Sequence, residues 1–298
     1  SWRDLAYLLG VASLERGKLT NPRQVASLLA HHARKMRDEI DSSGDPEVLF
    51  APLRKALKDG LQIDLTGEHI TPTVVQTLVY GAFAAWIATD DPVKFAWMQS
   101  SFKTTVPVFA EILHEALRPS LLRVCDLVPL LNNVERVLRW TNRDEFAARF
   151  DGDALQYFYE PFLAEFDPIL RDDLGIWYTP REIADYQVAR VHHHLVHDLG
   201  IEEGLADPSV YLLDPAAGTG TYLIAAVDFV YRHHVSNGEP STIAATRALE
   251  AVSRRLVGFE ILPAAFIICH LHLTRHLTQL GADVTDERIR VYLTNSLT

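Results

Sequence analysis

The residues with the clearest chemical potential form the run Asp214-Pro215-Ala216-Ala217-Gly218-Thr219-Gly220. Its two glycines permit close backbone approach at the N-terminus of a helix, and Asp214 adds an anionic acceptor. A dinucleotide site would need three glycines in the order Gly-x-Gly-x-x-Gly, with an acidic residue about 20 positions later. Here two glycines follow an acid that sits at the strand end itself. Such a carboxylate repels phosphate and suits a ligand with an ammonium group. A nicotinamide-dependent oxidoreductase, which a β-turn-α unit alone would permit, is disfavoured on this ground.

Two further positions extend the pattern. Glu260 ends an apolar run, where a carboxylate can accept hydrogen bonds from both hydroxyls of a ribose, and Ile261 beside it offers an apolar surface for an adenine face. Asn295 ends the next run, where a side-chain amide can read an adenine edge; closure of the strand as a turn residue stays open as its alternative role. An ammonium group, a ribose and an adenine together describe S-adenosylmethionine. One ligand would be touched from three successive strand ends, as expected at the switch point of a parallel sheet.

The elements that must position these residues can be read from periodicity. Val210–Leu213, Leu256–Phe259 and Ile289–Leu293 are short apolar runs suited to buried parallel strands. Helices are expected at about 181–199, directly after Gly220, at 240–253 and at 263–280, giving the order β, α, α, β, α, β. Upstream, Asn21-Pro22 makes a helix start before 23–40, and further helices are expected near 46–58, 71–89, 105–117, 121–139 and 153–166. Tyr157, Phe158 and Tyr159 suit a core. The expected fold is α/β: an all-helical domain over 1–150, then a partial Rossmann-like methyltransferase core over 151–298.

Composition narrows the function. The net charge is −11, and the excess lies entirely in the second half: 1–150 hold 18 basic and 18 acidic residues, 151–298 hold 10 and 21. Residues 151–298 are therefore a poor DNA clamp by themselves, since DNA binding needs local positive charge. Cys125 and Cys269 are too few for a disulfide framework and read as buried small hydrophobes in a reducing, cytoplasmic setting. No apolar run is read as approaching the ~18 residues of a membrane span. Ser1-Trp2-Arg3-Asp4 carries neither a signal-peptide pattern nor an initiator methionine, so the sequence is expected to begin inside a longer polypeptide. Of the 13 histidines, His192-His193-His194, His197, His272 and His276 invite a metal site. The segment His272–His276 lacks the glutamate of a His-Glu-x-x-His zinc motif, and three consecutive histidines on a helix point three ways. These histidines read as surface or interface residues, with no metal.

The sequence resembles the gamma-type N6-adenine DNA methyltransferases, in which an aromatic-Tyr-Thr-Pro turn precedes the glycine loop and a Gly-Phe-Glu strand end follows it. Trp177-Tyr178-Thr179-Pro180, Asp214 to Gly220 and Gly258-Phe259-Glu260-Ile261 match in that order. Within that group it is similar to the single-polypeptide Type ISP restriction-modification enzymes through Phe158-Tyr159-Glu160-Pro161-Phe162-Leu163, Asp214 to Thr221 and Tyr292-Leu293-Thr294-Asn295-Ser296-Leu297. The likeness covers about 151–298. Those enzymes place a helical coupler between an ATP-driven translocase and the methyltransferase, which implies by position that 1–150 are such a coupler.

The resemblance assigns Tyr178, Thr179 and Pro180, with Trp177 beside them, to the methionine end of S-adenosylmethionine. Asp214 and the loop backbone at Ala216, Gly218, Thr219 and Gly220 go to the same end, Glu260 to the ribose, and Ile261 and Asn295 to the adenine. None of these transfers a methyl group. In the family that step uses a later Asn/Asp/Ser-Pro-Pro-aromatic motif, and this sequence has no Pro-Pro dipeptide. The expectation is a cofactor-binding part with no catalytic residue of its own, which meets double-stranded DNA mainly through regions outside the chain and adjoins a motor region of the same polypeptide. The alternative is a coupling or interaction module whose cofactor site is structural.

Overall fold

The computed structural model describes residues 19–61, 67–88, 107–149, 154, 158–168, 179–284, 289–294 and 296. The chain forms two compact units, Ser1–Trp177 and Tyr178–Thr298.

The first unit is helical. Its elements are α1 (Pro22–Ser43), α2 (Pro46–Leu49), α3 (Ala51–Leu61), α4 (Gly67–Ala88), α5 (Pro107–Ala116), α6 (Pro119–Val124), α7 (Val128–Trp140), α8 (Arg143–Ala148) and α9 (Tyr159–Phe166). Asn21 caps α1 by accepting from the Arg23 amide at 2.9 Å, with Pro22 in the first turn, as its sequence predicts. The helix expected over 46–58 is two helices that meet at Phe50. That expected over 121–139 is also two: Asp126 takes φ +43° and the chain restarts as α7, with Pro129 in its first turn. Proline has no amide to continue a helix from the preceding turn, so a start is where it fits.

α1 packs against α4, α7 and α9. Phe83 of α4 stacks on Phe158 with ring centroids 4.3 Å apart and meets Phe146 at 5.8 Å, and Tyr159 donates to Gln76 Oε1 at 2.9 Å in the interior. The expected core role of Phe158 and Tyr159 is thus met, while Tyr157 lies outside the described residues. α4 corrects one expectation. His69–Ile87 is apolar and long enough to cross a membrane, but 89% of that stretch is buried inside the unit. Its apolar character is interrupted by buried Thr71, Thr73, Gln76 and Thr77, which disguised its length.

The second unit contains α10 (Arg181–His197), a 3-10 turn (Gly204–Ala206), β1 (Leu212–Asp214), α11 (Thr221–Ser236), α12 (Ser241–Arg254), β2 (Leu256–Glu260), α13 (Pro263–Leu280) and β3 (Val291–Leu293). The strands are parallel in the order β1-β2-β3, with Asp214 opposite Gly258 and Glu260 opposite Leu293. All three strand ends therefore lie along one edge. β1 is not the fully buried strand its apolar run suggests. Tyr211 is 70% and Leu213 53% exposed, because no strand pairs with its outer side among the described residues. A groove of about 410 Å³ runs there, between Val188 and Val191 of α10 and the β1 side chains. Arg255 pins the chain entering β1, donating to the carbonyls of Leu205 at 2.7 Å and Ala206 at 3.3 Å.

Two outcomes follow for the helical unit. Phe83→Ala should cost about 3–5 kcal/mol in urea unfolding, the range for an aromatic deleted from a packed cluster; a loss below about 1 kcal/mol would remove this cluster from the core. His32 is buried, and burial, followed by His31, Lys35 and Arg136, lowers its pKa to about 3. The unfolded chain then binds a proton at this site that the native chain refuses, so stability falls as pH drops from the ordinary histidine range towards 3. His32→Leu should flatten that slope in melts recorded from pH 7 to pH 4; an unchanged slope would place the acid sensitivity elsewhere.

Candidate functional site

The site is built where β1 and β2 end. Asp214 closes β1, the loop Pro215 to Gly220 turns back, and α11 starts at Thr221. Gly218 and Gly220 take φ +55° and +95°, the left-handed region in which a side chain is strained. A Cβ on Gly220 would stand 2.8 Å from Cys269 Sγ of α13, whereas one on Gly218 would meet nothing within 4 Å among the described residues. Gly220 therefore serves packing, and Gly218 leaves space on the outer side of the loop. Gly258 of β2 completes the cradle: a Cβ there would fall 2.8 Å from Leu223 Cδ1 and 3.2 Å from Ala217 Cβ. The Ala217 amide donates to the Phe259 carbonyl at 2.8 Å, which draws the loop over the end of β2.

Two carboxylates sit in this cradle. Glu260 is buried; its Oε2 accepts from the Gly218 amide at 2.8 Å and its Oε1 from the Leu262 amide at 2.7 Å. Asp214 Oδ1 accepts from the Ala216 amide at 3.2 Å, while its Oδ2 is buried without a hydrogen-bond partner among the described residues. Burial pushes the Asp214 carboxyl above its ordinary range against the Ala216 bond. Burial likewise raises Glu260, opposed by the amides of Leu262, Gly218 and Ile261 and reinforced by Asp214. Cys269 beneath them is held well above the usual thiol range by burial, with Asp214 and Glu260 adding to it, so it stays a neutral thiol. The buried free cysteines match expectation.

An orphan carboxylate oxygen in a low-dielectric pocket is costly and calls for a cationic partner. Glu260 retains acceptor capacity beyond these backbone amides, which suits hydroxyl donors. Ile261 follows it at 55% exposure, an apolar side chain left open at the rim. The Thr294 amide donates to the Glu260 carbonyl at 2.9 Å, bringing the chain just past β3 to the same end. Thr179 and Pro180 directly precede α10. The structure thus brings Asp214, Ala216, Gly218, Thr219, Gly220, Glu260 and Ile261 together; Trp177, Tyr178 and Asn295 lie outside the described residues.

Sequence reasoning missed two residues. His272, read as a surface or interface residue, is buried and bonds through Nδ1 to the Thr219 carbonyl of the glycine loop at 2.9 Å, which requires a proton on Nδ1. One turn on, His276 contacts Asp228 at 2.6 Å. Their i, i+4 spacing on one helix was the available signal, but their partners lie 53 and 48 positions away. His193, His194 and His197 are exposed on α10, whereas His192 is half-buried and accepts from the Leu205 amide at 3.3 Å.

Residues 150–297 match the family model described as N-6 DNA Methylase. No curated protein matches the chain. Among solved structures, the chain is similar to one described as a DrdV-DNA complex, with TM-score 0.62 and 17% identity over 99% of this chain and 26% of that one. It is also similar to the ATP-dependent Type ISP restriction-modification enzyme LlaBIII bound to DNA (TM-score 0.55, 17% identity, 92% of this chain and 18% of that one). A third is a nuclease-deletion mutant of the Type ISP enzyme LlaGI in complex with a DNA substrate mimic (TM-score 0.50, 19% identity, 92% and 21%). At these identities the likeness is one of fold, and the chain spans about a quarter or less of each of those chains.

The orphan oxygen of Asp214 yields a stability outcome. A carboxyl whose folded pKa is raised destabilises the native state above that pKa and has no such effect below the unfolded value. Ligand-free Asp214→Asn should therefore be more stable than the parent at pH 7 by about 1 kcal/mol, with the gain fading as pH falls through the carboxylate range. Equal or lower stability at pH 7 would mean that the carboxylate is compensated.

Proposed function

Because residues 150–297 belong to the N-6 DNA methylase family, we propose that the unit Tyr178–Thr298 is the S-adenosylmethionine-binding part of a DNA adenine-N6 methyltransferase of a restriction-modification or related defence system. The observation that carries this reading is the buried, unpartnered Asp214 Oδ2 beside Glu260, at the ends of adjacent parallel strands and under a loop shaped by Gly218 and Gly220. The three parallel strands and their covering helices form a partial Rossmann-like core in this reading.

When bound, S-adenosylmethionine supplies a sulfonium methyl group for the exocyclic amine of adenine. The protein's part is to hold it. Asp214 takes the ammonium group of the methionine end, with Thr179, Pro180 and the backbone of Ala216, Gly218 and Gly220 around it. Glu260 takes the ribose hydroxyls and Ile261 covers the adenine. The negative potential of the two acids rejects phosphates and favours a cationic ligand. The resemblance further assigns Tyr178, with Trp177, and Thr219 to the methionine end and Asn295 to the adenine end.

No residue of this chain is assigned the methyl-transfer step, since the sequence has no Pro-Pro dipeptide of the kind the resemblance requires. The chain alone is proposed to bind the cofactor in the cytoplasm without turning it over, and double-stranded DNA is proposed to be gripped largely by other regions. A second role is favoured for the helical part. Fold similarity to the DrdV structure covers 99% of the chain, so the fold of the helical unit has a counterpart there together with that of the second unit. Residues 1–150 are proposed as a coupler to a motor region of the same polypeptide.

The test is isothermal titration of the chain with S-adenosylhomocysteine, with NAD as competitor. Each charge-assisted contact is worth about 1.5–3 kcal/mol, so Asp214→Ala and Glu260→Ala should each weaken binding by roughly 10- to 100-fold. NAD should not compete. A folded chain that binds NAD instead, or binds S-adenosylhomocysteine equally well in both variants, would overturn the assignment.

A further inference from the structure

Arg181 occupies the first turn of α10, immediately after Thr179-Pro180. A positive charge is unfavourable at a helix N-terminus, where the helix dipole is itself positive. Pro180 offers no side-chain cap; among the described residues the Ile183 and Ala184 amides bond back to its carbonyl, at 3.1 and 3.2 Å, and Glu182 supplies a negative charge in the first turn. The guanidinium is instead held sideways. Its Nε donates to Asp185 Oδ1 at 2.9 Å, and a terminal nitrogen donates to Asp228 Oδ2 of α11. The other oxygen of Asp228 accepts from His276 Nε2 of α13 at 2.6 Å.

Asp228 is thus a two-sided acceptor between three helices, with its side chain 17% exposed. Burial pushes its carboxyl up, but His276 and Arg181 more than offset this and hold it below the ordinary range, so it is charged at neutral pH. Four residues before His276, and on the same helix, His272 holds the Thr219 carbonyl of the glycine loop. One rigid helix therefore reaches the glycine loop directly through His272, and the Thr179-Pro180 turn at the start of α10 through Asp228 and Arg181.

We infer that His276, Asp228 and Arg181 form a positioning relay by which α13 keeps the Thr179-Pro180 turn in register with the glycine loop it holds through His272, setting the width of the pocket for the methionine end of the cofactor. This rests on the cofactor reading above. None of the three relay residues is proposed to touch the ligand, and they act through the turn they hold.

The test combines hydrogen exchange at the Ile183 and Ala184 amides with S-adenosylhomocysteine titration on the whole chain. Asp228→Ala should speed exchange at those two amides about tenfold while the rest of the sheet and α13 stay protected, and should weaken binding about tenfold. His276→Leu should reproduce both effects, and His276→Gln, which keeps a donor for Asp228, should restore most of the affinity. If Asp228→Ala fails to fold, the His276 pair decides. His194→Leu, which breaks exposed contacts with Arg190 and Asp198 near the far end of α10, should change neither readout. Unchanged exchange at Ile183 and Ala184, or unchanged affinity in a parent chain that binds, would overturn the relay alone. A folded parent chain that does not bind would overturn the cofactor reading and the relay with it.

Discussion

The second unit is organised around one electrostatic constraint: two carboxylates buried side by side at the ends of adjacent strands. Charge removed from water must meet hydrogen-bond donors, and no cationic side chain touches either Asp214 or Glu260 among the contacts of the described residues. The donors are backbone amides of Ala216, Gly218 and Leu262, so the loop has to curl until its amides face inward. That curl needs positive φ at Gly218 and Gly220. It also needs the loop to lie close over β2, which Gly258 allows and a side chain there would block. The shape of the loop follows from the acids it satisfies. The shortfall is a single oxygen, Asp214 Oδ2, and that shortfall is what makes the place a site rather than a well-satisfied turn.

Much of this was legible in the sequence because it is local. The run Asp214–Gly220, with its acid ahead of its glycines, specified both the turn and the sign of charge it presents. The positions of all three strands came from apolar runs to within about two residues, the usual precision for element boundaries. The errors have local causes as well. The breaks at Phe50 and Asp126 lie inside continuous apolar periodicity, which does not register where the backbone must restart. Four polar residues in α4 hid a stretch long enough to span a bilayer, and they are tolerated because that helix lies within a core.

What escaped was tertiary. Nothing at position 272 or 276 reveals that a histidine there will meet a carbonyl or a carboxylate some fifty residues away, and histidine alone is as compatible with a surface as with an interior. The exposed edge of β1 escaped for the same reason. An apolar run predicts burial on both sides, yet Tyr211 and Leu213 face a groove, since burial depends on which neighbours are present rather than on the strand itself.

That edge bears on how the proposed activity is divided. Asp214 stands at the end of β1, an outer strand of the three, so a ligand seated on it would be flanked by the glycine loop and by β2 through Glu260. Its remaining flank is the side of the open groove. The residues that hold the cofactor in this reading all bind rather than react. A nitrogen attacking the sulfonium methyl must approach opposite the breaking bond, and the open groove is the flank that these residues leave free for it. Holding and transferring would then be physically separate tasks, the first set by two buried acids and the helix that tunes the pocket around them.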